Sequence, residues 1–334
     1  MQQRIYLFDT AKFILIFLVI YGHMLQPNRA LSYNCEMYSL IYMFHMPLFI
    51  MISGFFSKKT HDNKKFIQEW LRLFETFVVL HLFSLIYKYV TMGNLDISDV
   101  LIPGFASWYI LSLLCWRMFL QFIPIKWLDS PISFMVGSLI VSLLAGYLPV
   151  GGALSIQRTF SMFPFFMLGY FIKQRNCLNT ILLRPVLGLA IIILYSFVIF
   201  KFNYLGDIEG GKNQFHYVMQ CTYCYTKGNI LFAHPLVCRF LFFVFSLILS
   251  LAVMSVISHK NLGVLTEEGR YTMFYYFWHS VLVRILLMLF ASLAIEKSVV
   301  CLFVGSLIIL GILFLMRRCH IFSYMMHPVS SLRH

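Results

Sequence analysis

Charge is what this chain has least of. Of its 334 residues only 12% are Asp, Glu, Lys or Arg, where a soluble domain carries roughly 25%. The residues numbered 131–157 and 298–316 contain no charged side chain at all. With 60% of residues hydrophobic and a mean hydropathy of +0.80, a water-soluble globular enzyme is excluded, because burying this much apolar surface needs lipid as solvent. Paired cysteines are scarce too. Eight cysteines are scattered along the chain, and only Cys221 and Cys224 form a CxxC. With no second pair the spacing argues against zinc, and it leaves a local disulfide open where that loop faces an oxidising space. Acidic residues number 13 against 26 Lys and Arg, giving a net charge of +13. Such a balance points to nucleic acid when it lies on one hydrophilic face. Here the basic residues fall in short segments between apolar runs, so no nucleic-acid partner is expected. The anion such charge favours is a lipid headgroup or a phosphate-bearing ligand.

What is present is a series of apolar runs long enough to span a bilayer, each needing about 20 residues. The runs predict an all-α, polytopic helix bundle with about ten spans, at 8–26, 38–56, 74–92, 105–123, 131–149, 157–173, 183–201, 236–257, 272–294 and 298–316. The sixth is weaker, because its uncharged core from Thr159 to Ile172 is short. The apolar run after Lys12 lacks a small-x-small cleavage site, ending instead in Gln26-Pro27-Asn28-Arg29, so it is read as a retained first helix. Loop charge sets orientation. Sixteen basic residues fall on one side: Arg4, Lys12, Lys58, Lys59, Lys64, Lys65, Arg72, Lys126, Lys173, Arg175, Arg184, Lys260, Arg270, Arg317, Arg318 and Arg333. Six fall on the other: Arg29, Arg158, Lys201, Lys212, Lys227 and Lys297. Both termini are therefore expected to be cytoplasmic, in a single integral-membrane domain over 1–334 with no separate soluble domain. The long loop at about 202–235, with Gly206, Gly210, Gly211, Tyr217, Tyr223, Tyr225 and His234, is a flexible connection or a surface suited to a sugar.

Ionisable residues inside spans are costly and mark candidate sites. Lys12 and His23 are eleven residues apart and Asp9 and His23 fourteen, so all three fall on one helical face. The helical rise sets Lys12 about 16 Å from His23 along the axis. A rim cation suits a phosphate, and an embedded imidazole suits proton transfer. The plainer reading is a snorkelling lysine and a packed histidine. The second span carries His45 and Pro47, and the proline must free a backbone carbonyl that finds another partner. His45 is expected at a depth similar to His23. His81, Arg117 and Arg239 are read as interhelical hydrogen-bond partners. Trp108 and Tyr147, near span ends, suit interfacial anchoring. Five residues separate His279 from Arg284, about 140° around a helix, which predicts that the two do not share a site.

Taken in order, Asp9, Lys12 with His23 eleven later, Phe44-His45-Met46-Pro47-Leu48-Phe49 and Ser53-Gly54-Phe55 resemble the opening of the membrane acyltransferase 3 family. Trp108-Tyr109-Ile110-Leu111, then Arg158 with Phe163-Pro164-Phe165-Phe166-Met167-Leu168-Gly169-Tyr170, and Gly269 with Tyr275-Tyr276-Phe277-Trp278-His279 are similar to its later motifs. Two positions depart. Lys12 stands where the family usually has arginine, which keeps the charge and loses the bidentate fork. Glu69 stands where the first of two arginines three apart is usual, leaving Arg72 alone, and the usual downstream proline is absent around Glu75-Thr76.

The resemblance implies an acyltransferase moving an acyl group, most often acetyl from cytoplasmic acetyl-CoA, to a hydroxyl of a cell-surface or lipid-linked glycan. The setting is a bacterial cytoplasmic (inner) membrane, and the chain resembles members that acetylate surface polysaccharide sugars, such as fucose 4-O-acetylase-like ones. It implies His23 as general base or, alternatively, as a covalent acyl carrier. His45 would act at the oxyanion or the acceptor, and Asp9 would hold Lys12 or Arg72. Lys12, Lys64, Lys65 and Arg72 would bind the phosphates of acyl-CoA, with Ser53, Trp108, Arg158 and His279 on the acceptor side or in support. Acyl-CoA serves as cosubstrate, with no metal, and the partners are the glycan and membrane lipid. A transporter or flippase for a lipid-linked sugar is the competing reading, and a signalling or structural bundle without catalysis is the other.

Overall fold

The apolar runs fold as helices. The computed structural model describes residues 5–31, 33–104, 106–150, 152–202, 219–222, 224–225 and 235–326, and among these there are helices and no strand. Arg4, Lys212, Lys227, Arg333 and most of the long loop, including Gly206, Gly210, Gly211, Tyr217, Tyr223 and His234, lie outside the described residues. In chain order the helices are α1 (Tyr6–Leu25), α2 (Asn34–Tyr42), α3 (His45–Phe56), α4 (Asn63–Met92), α5 (Ile97–Leu101), α6 (Ser107–Phe122), α7 (Ile125–Leu128) and α8 (Pro131–Leu144). They continue with α9 (Ile156–Gln174), α10 (Leu178–Ile181), α11 (Pro185–Phe202), α12 (Pro235–Val256), α13 (Val264–Glu268), α14 (Thr272–Ser292), α15 (Val299–Met316) and α16 (His320–Met326).

Among the described residues six helical segments are long and apolar enough to cross a membrane: Tyr6–Asn28, Asn34–Phe56, Asn63–Met92, Pro235–Val256, Val264–Ser292 and Val299–Met316. Pro131–Tyr147 and Pro185–Lys201 are shorter apolar helices. The burial pattern is the inverse of a soluble protein's. Val186 is 81% exposed, Val90 74% and Val300 70%, whereas Arg239 and His279 are wholly buried and Glu268 nearly so. Apolar surface on this scale is stable against lipid and not against water.

Two helices differ from the sequence expectation for readable reasons. The second span breaks at Met43-Phe44, so Pro47 sits in the first turn of α3, where a missing N–H is tolerated. The carbonyl four residues before it belongs to Met43, and it accepts a hydrogen bond from Ser246 Oγ at 2.5 Å. That is the partner a freed carbonyl requires. The third span starts eleven residues before its apolar run. Asp62 caps it, accepting the Lys65 N–H at 3.1 Å, and the basic first turns stay helical outside the hydrophobic stretch.

The chain divides into two compact units. The first comprises the described residues of Met1–Phe49, Asn176–Met219 and Cys238–Met316, and the second those of Ile50–Arg175, Gln220–Val237 and Arg317–His334. In the first, α1 is the central helix and packs on α2, α13, α14 and α15. In the second, α6 packs on α4 and α9, and α9 on α8. There Tyr225 from the long loop donates its backbone N–H to Gly146 O at 2.8 Å and sets its ring edge-on to Tyr147. Cys221 and Cys224 are both buried.

Candidate active site

The start of α1 is clamped by the segment before α14. Gly269 lies so close to α1 that a Cβ there would sit 1.8 Å from the Asp9 carbonyl oxygen. The Thr10 and Thr266 hydroxyls meet at 2.9 Å, and Tyr275 donates its hydroxyl to Glu268 Oε2 at 2.7 Å. Within this clamp Asp9 pairs with Lys12 at 2.9 Å. Glu268 was not singled out by sequence. It stands beside Glu267, which is half-buried and pairs with Arg270 at 2.6 Å, and nothing in the local sequence distinguishes the two carboxylates.

Because α1 runs unbroken from Tyr6 to Leu25, the helical spacing of Lys12 and His23 holds, and they share a face about three turns apart. His23 stacks on His279 of α14, with ring centroids 5.4 Å apart and 28° between planes. His45 and Arg284 act electrostatically on the same imidazole. Five residues apart on α14, His279 and Arg284 diverge around the helix by about 140°. His279 and His45 are buried, while His23 keeps part of its surface exposed.

Hydrogen bonds set the chemistry of each ring. His45 Nδ1 donates to Ile41 O at 2.8 Å and His279 Nδ1 to Tyr276 O at 2.6 Å. A carbonyl only accepts, so both neutral rings carry their proton on Nδ1 and a lone pair on Nε2. In that state the Nδ1–H of His45 is committed to Ile41 O and its Nε2 can accept a hydrogen bond. His23 Nδ1 lies 3.3 Å from Gln26 Oε1, which also accepts the Tyr42 hydroxyl at 3.2 Å.

The remaining candidates belong to the second unit. Lys64, Lys65 and Arg72 are exposed on α4, and Lys65 and Arg72, seven residues apart, share a face. Glu69, which replaces the first arginine, is taken up by Arg117 of α6 at 2.6 Å. Ser53 Oγ meets the Tyr109 hydroxyl at 2.6 Å. The Arg158 guanidinium lies over the Trp108 ring, 5.0 Å from its centroid, so Trp108 is a buried cation–π partner and not an exposed interfacial anchor. A small cavity of about 40 Å³ beside them is lined by Ser155, Gln157, Arg158 and Thr222 among others. His81 Nε2 lies 3.0 Å from Val100 O, an interhelical bond of the expected kind. A cleft of about 650 Å³ in this unit is lined by Trp116, Phe119, Trp127, Phe160 and other mainly apolar side chains, with Lys126 the one charge among the described residues. Among the described residues no His, Asp, Glu or Cys lines it, so none of them offers it a general base. Among the described residues no group of three His, Cys, Asp or Glu is arranged to hold a metal ion.

Comparison with known proteins agrees with this geometry. The model of a family described as an acyltransferase domain, acyltransferase 3, matches residues 5–318. The chain is 30% identical over 186 residues to nodulation protein NolL of Mesorhizobium japonicum, covering 50% of this chain and 47% of the relative. It is likewise 30% identical over 188 residues to nodulation protein NolL of Sinorhizobium fredii, covering 50% and 48%. The matched region is thus about half the length of these relatives. No solved structure matches the chain.

Proposed function

Since the chain belongs to the acyltransferase 3 family, we propose that it is a membrane O-acetyltransferase acting from cytoplasmic acetyl-CoA on a hydroxyl of a cell-surface or lipid-linked glycan. The observation that carries this reading is one partly exposed imidazole, His23, gathered with His279 and His45 at one end of α1 while the Asp9–Lys12 pair sits at the other. A base deep in a helix bundle and a cation near the opposite rim fit a substrate whose charged end and reacting end are far apart. Ten spans with cytoplasmic termini in a bacterial inner membrane, forming one functional domain, complete the proposal. They rest on the loop-charge asymmetry.

In this mechanism His23 takes the proton of the acceptor hydroxyl as its oxygen attacks the thioester carbonyl. The C–O ester bond forms and the C–S bond breaks, and the proton held on the imidazole passes to the departing thiolate of CoA. Asp9 keeps Lys12 oriented for a phosphate, and His45 and His279 hold hydroxyls through their accepting nitrogens. Lys64, Lys65 and Arg72 fit the CoA phosphates because they are exposed cations grouped on α4, and Glu69 is already neutralised by Arg117. Ser53, Trp108 and Arg158 are assigned to the acceptor.

The test is direct: purified protein in nanodiscs is given labelled acetyl-CoA and a polysaccharide, and ester-linked label is measured in the polysaccharide. Label in the glycan supports the proposal; vectorial movement of a lipid-linked sugar with no ester formed would replace it with a transporter. The donor side has its own check. Arg72→Gln, an exposed change with no packing consequence, is expected to raise KM for acetyl-CoA about tenfold with kcat unchanged, the worth of one charge-assisted contact. An unchanged KM removes α4 from the donor site.

A further inference from the structure

The three imidazoles differ in what holds their tautomers. His45 and His279 give Nδ1–H to backbone carbonyls, which no substitution alters and which cannot reverse their polarity. His23 instead faces a side-chain amide, and an amide can present either oxygen or nitrogen. Something must decide which end it presents. The Tyr42 hydroxyl, at 3.2 Å from Gln26 Oε1, is placed to do so by donating to that oxygen.

Tyr42 reaches this position through local packing that is visible in the sequence. A Cβ on Gly22 would lie 2.8 Å from the edge of the Tyr42 ring, so the absent side chain is what lets the ring lie against α1. On its other side the ring stacks on Tyr38 at 3.8 Å and meets His45 edge-on at 4.6 Å. Gln26 itself caps α1, its backbone N–H bonded to Gly22 O, which fixes where its side chain begins. Gly22, His23, Gln26 and Tyr42 thus form one constellation at the end of α1.

We infer that Gln26 is a positioning residue for the reaction, holding His23 in the Nδ1–H tautomer through Oε1, with Tyr42 fixing the amide, so that Nε2 carries the lone pair. This deepens the acyltransferase reading and rests on His23 being its base. The proton of the acceptor hydroxyl is then taken at Nε2, on the side of the ring away from Gln26. If the amide were reversed, its N–H would donate to Nδ1, Nε2 would carry the proton, and the base would be blocked.

Gln26→Leu, Gln26→Glu and Tyr42→Phe test this in the purified full-length protein, with kcat and KM for acetyl-CoA measured separately. Glutamate accepts from Nδ1–H and cannot donate when ionised, so it separates the two amide orientations. Gln26→Leu is expected to lower kcat about 10–100-fold with KM for acetyl-CoA unchanged, the usual cost of losing a group that orients a reacting ligand. Gln26→Glu is expected to restore kcat to within a few-fold of the parent. Tyr42→Phe, which leaves the amide in place but free to turn, should fall between them. Unchanged kcat in Gln26→Leu, or a Gln26→Glu protein as slow as Gln26→Leu, overturns the inference. Should Gln26→Leu fail to fold, Tyr42→Phe decides: full kcat there overturns it and a selective loss of kcat supports it. His23→Ala run alongside separates the two levels. If that protein still transfers acetyl, the parent reading fails; if it is inactive while Gln26→Leu is not, only the role of Gln26 fails.

Discussion

Replacing His23 by alanine is expected to lower acetyl transfer by about 10²–10⁴-fold while the protein still inserts, folds and binds acetyl-CoA. The magnitude is that of a general base removed from a reaction that otherwise proceeds by positioning. Folding should survive because His23 is only partly buried, and the polar partner it leaves, Gln26, keeps its bond from Tyr42. The His279 ring loses a stacking neighbour and keeps its tautomer, which the Tyr276 carbonyl fixes. The assay is initial-rate transfer of label from acetyl-CoA, with thermal unfolding measured on the same preparation. Transfer at the parent rate by a folded His23→Ala protein would remove His23 from the chemistry, and with it the main support for an enzyme. A covalent acyl-histidine would show itself as label on the parent protein that is absent from His23→Ala.

The positions of the helices were legible in composition, because a run of about 20 apolar residues has few other fates. Nine of the ten runs each fall on one helix and the second on α2 and α3, while six segments among the described residues reach spanning length and hydropathy. Helix ends were less legible where hydropathy and helicity part company. The apolar signal marks where lipid would be, and α4 continues past it because Asp62 caps a basic segment that remains helical in water. At the site, helical phase was enough to place Asp9, Lys12 and His23 on one face, since that argument needs only one unbroken helix. Gln26 was quoted only as evidence against a cleavage site; its proximity to His23, three residues on, gave a usable signal. Glu268 gave none. Its burial comes from Gly269 drawing the chain onto α1 and from the Tyr275 hydroxyl, both of which are tertiary facts.

The largest structural effect is expected where two helices of the second unit touch backbone to backbone. A Cβ on Gly54 of α3 would lie 1.8 Å from Phe166 O, and one on Gly169 of α9 would lie 1.8 Å from Met51 O. The contact is reciprocal: each glycine admits the other helix's carbonyl. Small residues allow such an approach in membrane helices, where close packing replaces the hydrophobic drive between helices. Ordinary contacts of a real Cβ begin above 3.0 Å, so one added methyl must push the helices apart by more than 1 Å. The displacement cannot be absorbed by a side chain, because the opposing atoms are backbone. Gly54→Ala and Gly169→Ala should therefore each destabilise by about 3 kcal/mol or more, at the upper end of overpacking changes. Gly137→Ala is the control: nothing lies within 4 Å of its added Cβ, and a helical Gly→Ala change there should be neutral or stabilising by about 0.5–1 kcal/mol. The double variant carries the sharper expectation. Once the helices have separated for the first methyl, the second enters space already opened, so the two losses should fall well short of adding. Thermal unfolding of the four proteins in one detergent checks both points. Strictly additive losses would mean that the two glycines are accommodated independently, and midpoints equal to the parent's would mean that the close crossing of α3 and α9 does not exist.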